Sequence, residues 1–144
     1  GIKFSIVKHF KGAPVQGVIK KNSDGTLSLL VTTRRKFADI FWFTFFHEIG
    51  HVIHEDIGDK LIDYEFTKGE TEDRADKFAE NTLIEAEEYG AFVRTGDFSL
   101  LSIKRFSVEQ NIPIYILIGR LQKDGYVGYY QYSAEKVKYV LEGS

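Results

Sequence analysis

A chain of 144 residues, 43% of them hydrophobic and 15% aromatic, has the size and apolar content of one packed unit, so a single domain over residues 1–144 is expected. Its 19 basic and 21 acidic side chains leave a formal charge of −2, which excludes any overall field toward nucleic acid or anionic lipid. The absence of cysteine excludes disulfides and thiolate metal sites, so a metal would have to be held by histidine and carboxylate.

The one dense basic run, Arg34-Arg35-Lys36, reads as a solvated segment, and no direct nucleic-acid binding is expected of these residues. No uninterrupted apolar stretch approaches the roughly 18 residues of a membrane span, and Gly1-Ile2-Lys3-Phe4 does not open a signal peptide. A cytoplasmic protein without a membrane partner is the expectation. Methionine is missing altogether, initiator included, which points to a segment excised from or processed out of a longer protein.

Three short segments rich in Val, Ile and Leu come first: Lys3 to His9, Pro14 to Lys20 and Thr26 to Thr33. They read as antiparallel strands, with Asp24-Gly25 as the tight turn of a hairpin joining the second to the third. The pattern then becomes helical from Asp39, a candidate N-cap, to about Glu55. Ile57 to Gly69 breaks it. Thr67-Lys68-Gly69-Glu70 has the form of a capping box, and Glu72 to about Tyr89 reads as a second helix. Ser99 to Gln110 and Pro113 to Lys123 read as two more, the last stopped by Gly125. Tyr126 to Tyr132 is a final strand or an extended tail. The fold class is therefore α+β, a small N-terminal antiparallel sheet followed by a helical bundle.

Two of the four histidines fall in His47-Glu48-Ile49-Gly50-His51, which fits H-E-x-x-H. Residues four apart on a helix share a face, so both imidazoles can meet one ion. Glu48 lies about 100° round the helix, too far to be an equal ligand but close enough to serve as general base toward a water. A catalytic zinc takes three protein ligands, and Glu72 on the second helix is assigned as the third. Asp76, one turn further, is placed to accept the free ring N–H of a ligand histidine.

His54 follows His51 on nearly the same face. Three ligands on one straight helix would spread over about 10 Å, too far for one ion, so His54 reads as a rim residue facing solvent or substrate. His9 reads as structural. Phe41-Trp42-Phe43-Thr44-Phe45-Phe46 reads as core packing that holds the ligand rotamers, and Gly50 as a place where another backbone or the sheet comes close.

From Phe41 to His51 the sequence resembles the core of the ImmA/IrrE metallopeptidases, a gluzincin-like arrangement. Glu72-Asp73-Arg74-Ala75-Asp76-Lys77-Phe78-Ala79 is similar to that family's E-x-x-A-[DN]-x-F-A helix, and Gly119-Arg120-Leu121-Gln122 to its G-R-L-Q signature. The resemblance implies a zinc peptidase of the cytoplasm that cleaves a helix-turn-helix repressor or antitoxin. Leu83-Ile84 is followed here by Glu85 where the family commonly has proline.

The expected reaction is zinc-assisted peptide hydrolysis with Glu48 as base. Arg120, Tyr126, Tyr129 and Tyr130 are open candidates for stabilising the oxyanion, and a peptide could add as a strand to a free edge of the sheet. The rival expectation is a metal-containing sensing or binding domain of a regulator, with little or no catalysis.

Overall fold

The computed structural model describes residues 1–8, 17–32, 37–54 and 61–140, and of residues 61–68 the helical backbone. His9, the segment 14–16, the run 34–36, Glu55 and the segment 57–60 lie outside the described residues.

The chain is α+β: among the described residues a three-stranded sheet precedes five α-helices. Strands β1 (Ile2–Val7), β2 (Gly17–Lys21) and β3 (Leu27–Thr32) lie in the order β1-β3-β2. β2 and β3 form the expected antiparallel hairpin, with Gly17 opposite Val31 and Lys21 opposite Leu27. β1 instead pairs parallel with β3, Ile2 opposite Leu27, so the sheet is mixed where a wholly antiparallel one was expected. Burial accounts for the order: β3 carries the sheet's buried side chains, Leu29 and Val31 at 1% and 0% exposure, and takes the central position, which β1 can flank in either direction. At the hairpin only Gly25 has a positive φ, 84°; Asp24 instead accepts from the Thr26 N–H at 3.0 Å.

Helix α1 (Ala38–Ile53) starts from Phe37, not from Asp39. The Ala38 N–H is taken by the carbonyl of Val137 at 2.8 Å, and Asp39 turns its carboxylate to Lys136. Helix α2 (Leu61–Leu83) begins well before the expected Glu72, so the capping-box residues lie inside it. It also ends before Tyr89: Glu85 has φ −59° and ψ 129°, buried Ile84 turns into the core, and a separate helix α3 (Ala86–Thr95) follows.

The last two helices match their expected spans. α4 (Leu100–Glu109) is capped by Ser99, whose Oγ accepts from the Ser102 N–H at 3.3 Å. α5 (Ile114–Lys123) takes Pro113 as its N-cap. It ends as expected at Gly125 (φ 82°), with Tyr126 N–H bonded to the carbonyl of Leu121 and Gly125 N–H to that of Gln122. Residues 126–132 form turns, neither strand nor extended tail, and lead to a short 3-10 helix at Ser133–Glu135. The main core lies among α3, α4 and α5, around Ile103, Leu117, Ile118 and Leu121, with Trp42 of α1 packed against it.

Where α1 crosses α2, side chains are small: Ala75 and Ala79 are fully buried, and a β-carbon at Gly50 would stand 3.1 Å from Ala75 Cα and 3.2 Å from Phe78 Cδ1. The close backbone expected at Gly50 is α2. The aromatic run of α1 packs as expected against its surroundings, Phe45 on Phe4 and Phe41 on Tyr139 with ring centroids 5.2 and 5.5 Å apart, though its rings are half-buried. Two glycine substitutions should therefore act with opposite sign. Gly69→Ala, at an exposed position of α2 with no atom of the described residues within 4 Å of the added carbon, should gain up to about 1 kcal/mol of helix propensity. Gly50→Ala should lose about 1–3 kcal/mol by overpacking the crossing. Urea denaturation of both variants measures this, and equal stabilisation of the two would show that the crossing is loose.

Candidate metal centre

The crossing sets the site. His47 and His51 lie one turn apart on α1, and Glu72 and Asp76 one turn apart on the facing stretch of α2. His47 Nε2 is 3.2 Å from His51 Nε2 and 2.9 Å from Glu72 Oε2, and His51 Nε2 is 3.1 Å from Glu72 Oε1. The edge of a tetrahedron of nitrogen and oxygen ligands at zinc bond lengths is about 3.4 Å. The two imidazole nitrogens are separated by close to that edge, the two oxygens of Glu72 face one nitrogen each, and His47, His51 and Glu72 form a group that could hold a metal ion.

Supporting contacts fix the ligand atoms. His47 Nδ1 is 2.6 Å from Asp76 Oδ1, a partner to which this nitrogen can donate, and with the proton there the lone pair of Nε2 would be left for a cation. The two imidazole planes stand at 83° with centroids 4.8 Å apart, and the ring of Phe43, one turn back, lies 6.2 Å from that of His47. Both histidine side chains are nearly covered, at 14% and 12% exposure, while Glu72 at 39% opens the group to solvent on one side.

Glu48 is buried, and desolvation raises its carboxyl above the ordinary glutamate value. His47 and His51 oppose that shift and Glu72 adds to it. What covers Glu48 is the edge strand: at Gly17 a β-carbon would lie 2.5 Å from Thr44 Cγ2 and 3.3 Å from Glu48 Cγ. The sequence reading passed over Gly17. Its signal was a glycine inside a Val- and Ile-rich strand, a common mark of close approach by another element.

Other candidates lie elsewhere. His54 follows the end of α1, exposed, with its ring edge-on to Phe78. Arg120 does not join the cluster: its Nη2 is 3.5 Å from Glu80, its Nε donates to Asp124 at 2.8 Å, and its guanidinium lies over Tyr89. Glu80 is two turns, about 12 Å of helix, beyond Glu72. Tyr89 donates to Asp124 at 2.6 Å, and its own burial pushes the phenol far above the usual range. Tyr126 stacks on Phe98 at 5.3 Å, at the end of α5. Tyr129 and Tyr130 are exposed on the turns that follow.

Residues 119–122 have a structural use. Gly119 leaves room for the Asp39 carboxylate, which a β-carbon there would strike. Gln122 donates to the carbonyls of Tyr129 and Gln131, both at 3.1 Å, and accepts from Lys136. Together they bind the C-terminal turns to the start of α1.

Comparison with known proteins gives no further guide: the sequence matches no protein-family model and no curated protein. Among the described residues no helix is long and apolar enough to cross a membrane. The geometry generates its own test at Asp76. Asp76→Ala should leave the fold and zinc stoichiometry intact and weaken zinc affinity about 10- to 100-fold, because His47 loses the partner that sets its tautomer. Competition with a chromogenic chelator reads the constant, and an unchanged value would reduce Asp76 to a surface carboxylate.

Proposed function

We propose that this chain is a zinc-dependent endopeptidase in which His47, His51 and Glu72 hold the metal and Glu48 is the general base. The observation that carries the reading is the convergence of two imidazole nitrogens, 3.2 Å apart, on the carboxylate of Glu72, one oxygen of which lies 2.9 Å from His47 and the other 3.1 Å from His51, beside a buried glutamate. A donor set of nitrogen and oxygen without sulfur, open on one side, suits catalytic zinc. Zinc bound there supplies Lewis acidity toward a peptide carbonyl and makes water easier to deprotonate.

The chain's own groups do the rest. Glu48, its proton affinity raised by burial, takes a proton from the attacking water and returns it to the leaving amine nitrogen. Asp76 holds His47 in the tautomer that faces the ion. An extended peptide has a place to add: among the described residues β2 pairs only with β3, and its other edge begins at Gly17, beside Glu48.

The resemblance of residues 41–51, 72–79 and 119–122 to the ImmA/IrrE peptidases supports a cytoplasmic role and, as substrate, a repressor or antitoxin with a helix-turn-helix domain. The decisive experiment incubates the zinc-loaded chain and its Glu48→Gln variant with such regulators encoded beside it, read by intact mass. Glu48→Gln should keep its fold and zinc and lose at least about 100-fold in cleavage rate. Equal cleavage by both proteins would falsify the mechanism. Retention of the regulator without cleavage by either would identify a sensing or binding domain instead.

A further inference from the structure

A cavity of about 350 Å³ lies among α1, the end of α2 and α5, but the charges that line it are paired with one another, Asp39 with Lys136, and Glu80 with Arg120 and Lys123. Unpaired charge lies on the sheet. Residues 1–36 carry 8 basic side chains and 1 acidic one, against 11 and 20 in residues 37–144. Among the described residues Lys3, Lys20 and Lys21 are exposed, and no carboxylate pairs with any of them. Asp24, the one acidic residue of this region, is engaged in its own turn by the N–H and hydroxyl of Thr26.

The register gathers these lysines at one end of β2. Lys3 and Lys20 both lie opposite Ser28, on the face away from α1, two strand spacings or about 10 Å apart. Lys21 shares the other face with Gly17. Along the strand Lys20 and Lys21 stand about 10 and 14 Å from Gly17, the residue beside Glu48. On the α2 side of the metal group the exposed charges are carboxylates, Glu70 and Asp73, close to Glu72 in the chain. The two sides of the site therefore differ in sign. A peptide that adds beyond β2 sets its side chains opposite those of β2, and antiparallel addition is the more stable. It then runs from Lys21 toward Gly17. Its residues opposite Lys21 and Lys20 come four and three before the one opposite Gly17, on the N-terminal side of the bond that Glu48 would serve.

We propose that the β2 edge selects an extended acidic peptide, whose adjacent carboxylates meet Lys20 and Lys21 a few residues before the bond to be cleaved. This rests on the reading of β2 as the substrate edge of a peptidase. The test uses the zinc-loaded Glu48→Gln chain and decapeptides of alternating valine and threonine. One carries an Asp-Asp pair near its N-terminus, the second Asn-Asn and the third Lys-Lys at the same place, and the fourth Asp-Asp near its C-terminus. Amide NMR titration should show the first peptide shifting the signals of Gly17 to Lys21. It should bind at least about 3-fold more tightly than the second and fourth, the yield of two opposite-charge cross-strand pairs. With Lys20→Glu and Lys21→Glu together the order should reverse, the Lys-Lys peptide binding best, while the Asn-Asn peptide binds as before and reports an intact fold. Equal affinity for the Asp-Asp and Asn-Asn peptides, no binding of any peptide, an unchanged order in the double variant, or shifts confined to other elements would overturn the proposal. Displacement of the peptide by a DNA duplex, with shifts on Lys3, Lys20 and Lys21, would overturn it too and assign the lysines to nucleic acid. The wild-type chain, read by intact mass on the same peptides, tests the peptidase reading separately. Preferential binding at β2 without any cleavage counts against that reading and upholds the edge site, whereas cleavage with no preference for the acidic pair does the reverse.

Discussion

Two helices can present ligands to one ion only if their backbones approach closely, and here that approach depends on Gly50 meeting Ala75 with no side chain between them. Bulk at either position would push α2 away and separate Glu72 from the two imidazoles. The same approach places Asp76 against His47, so ligand distance and ligand tautomer have one cause. A second close contact, Gly17 against Thr44 and Glu48, adds the sheet to the other side of α1. The buried glutamate is thus confined between a strand edge and the ligand-bearing turn.

The opposite end of α1 is held by different forces. Asp39 and Lys136 form a nearly buried ion pair, and such pairs are tolerable only when other hydrogen bonds satisfy the charges. Gln122 provides one by accepting from Lys136, while its amide ties down two carbonyls of the C-terminal turns. Trp42 Nε1 donates to Tyr139 at 3.0 Å on the neighbouring turn. One helix therefore has a tightly crossed end that carries the ligands and a polar end that closes a cavity. Phe43 lies at the join, in the cavity wall and beside the ring of His47.

Much of this was readable from residue order, and the failures have physical reasons. The four-residue spacing of His47 and His51, and again of Glu72 and Asp76, is a helical property that survives any tertiary arrangement. The close backbone at Gly50 was legible because a glycine inside a helix is unfavourable without a neighbour. Strand direction was not legible, because alternating apolar patterns set which face is buried and say nothing of which edge β1 chooses. The capping box at 67–70 misplaced the start of α2, since a motif of local hydrogen bonds competes with a helix that can simply continue through it. Arg120 was read as a catalytic candidate because a charged residue in a recognisable signature invites that reading; three partners, Glu80, Asp124 and Tyr89, explain it without chemistry.

The contacts at the start of α1 join residues far apart in the chain: Asp39 with Lys136 and Trp42 with Tyr139, each pair 97 positions distant. The ligand-bearing end meets Glu72 and Asp76 within 29 positions. During synthesis every side chain of the metal group, the last of them Asp76, is therefore made before Lys136 and Tyr139, the partners of the first turns of the same helix. The two ends of α1 acquire their partners one after the other.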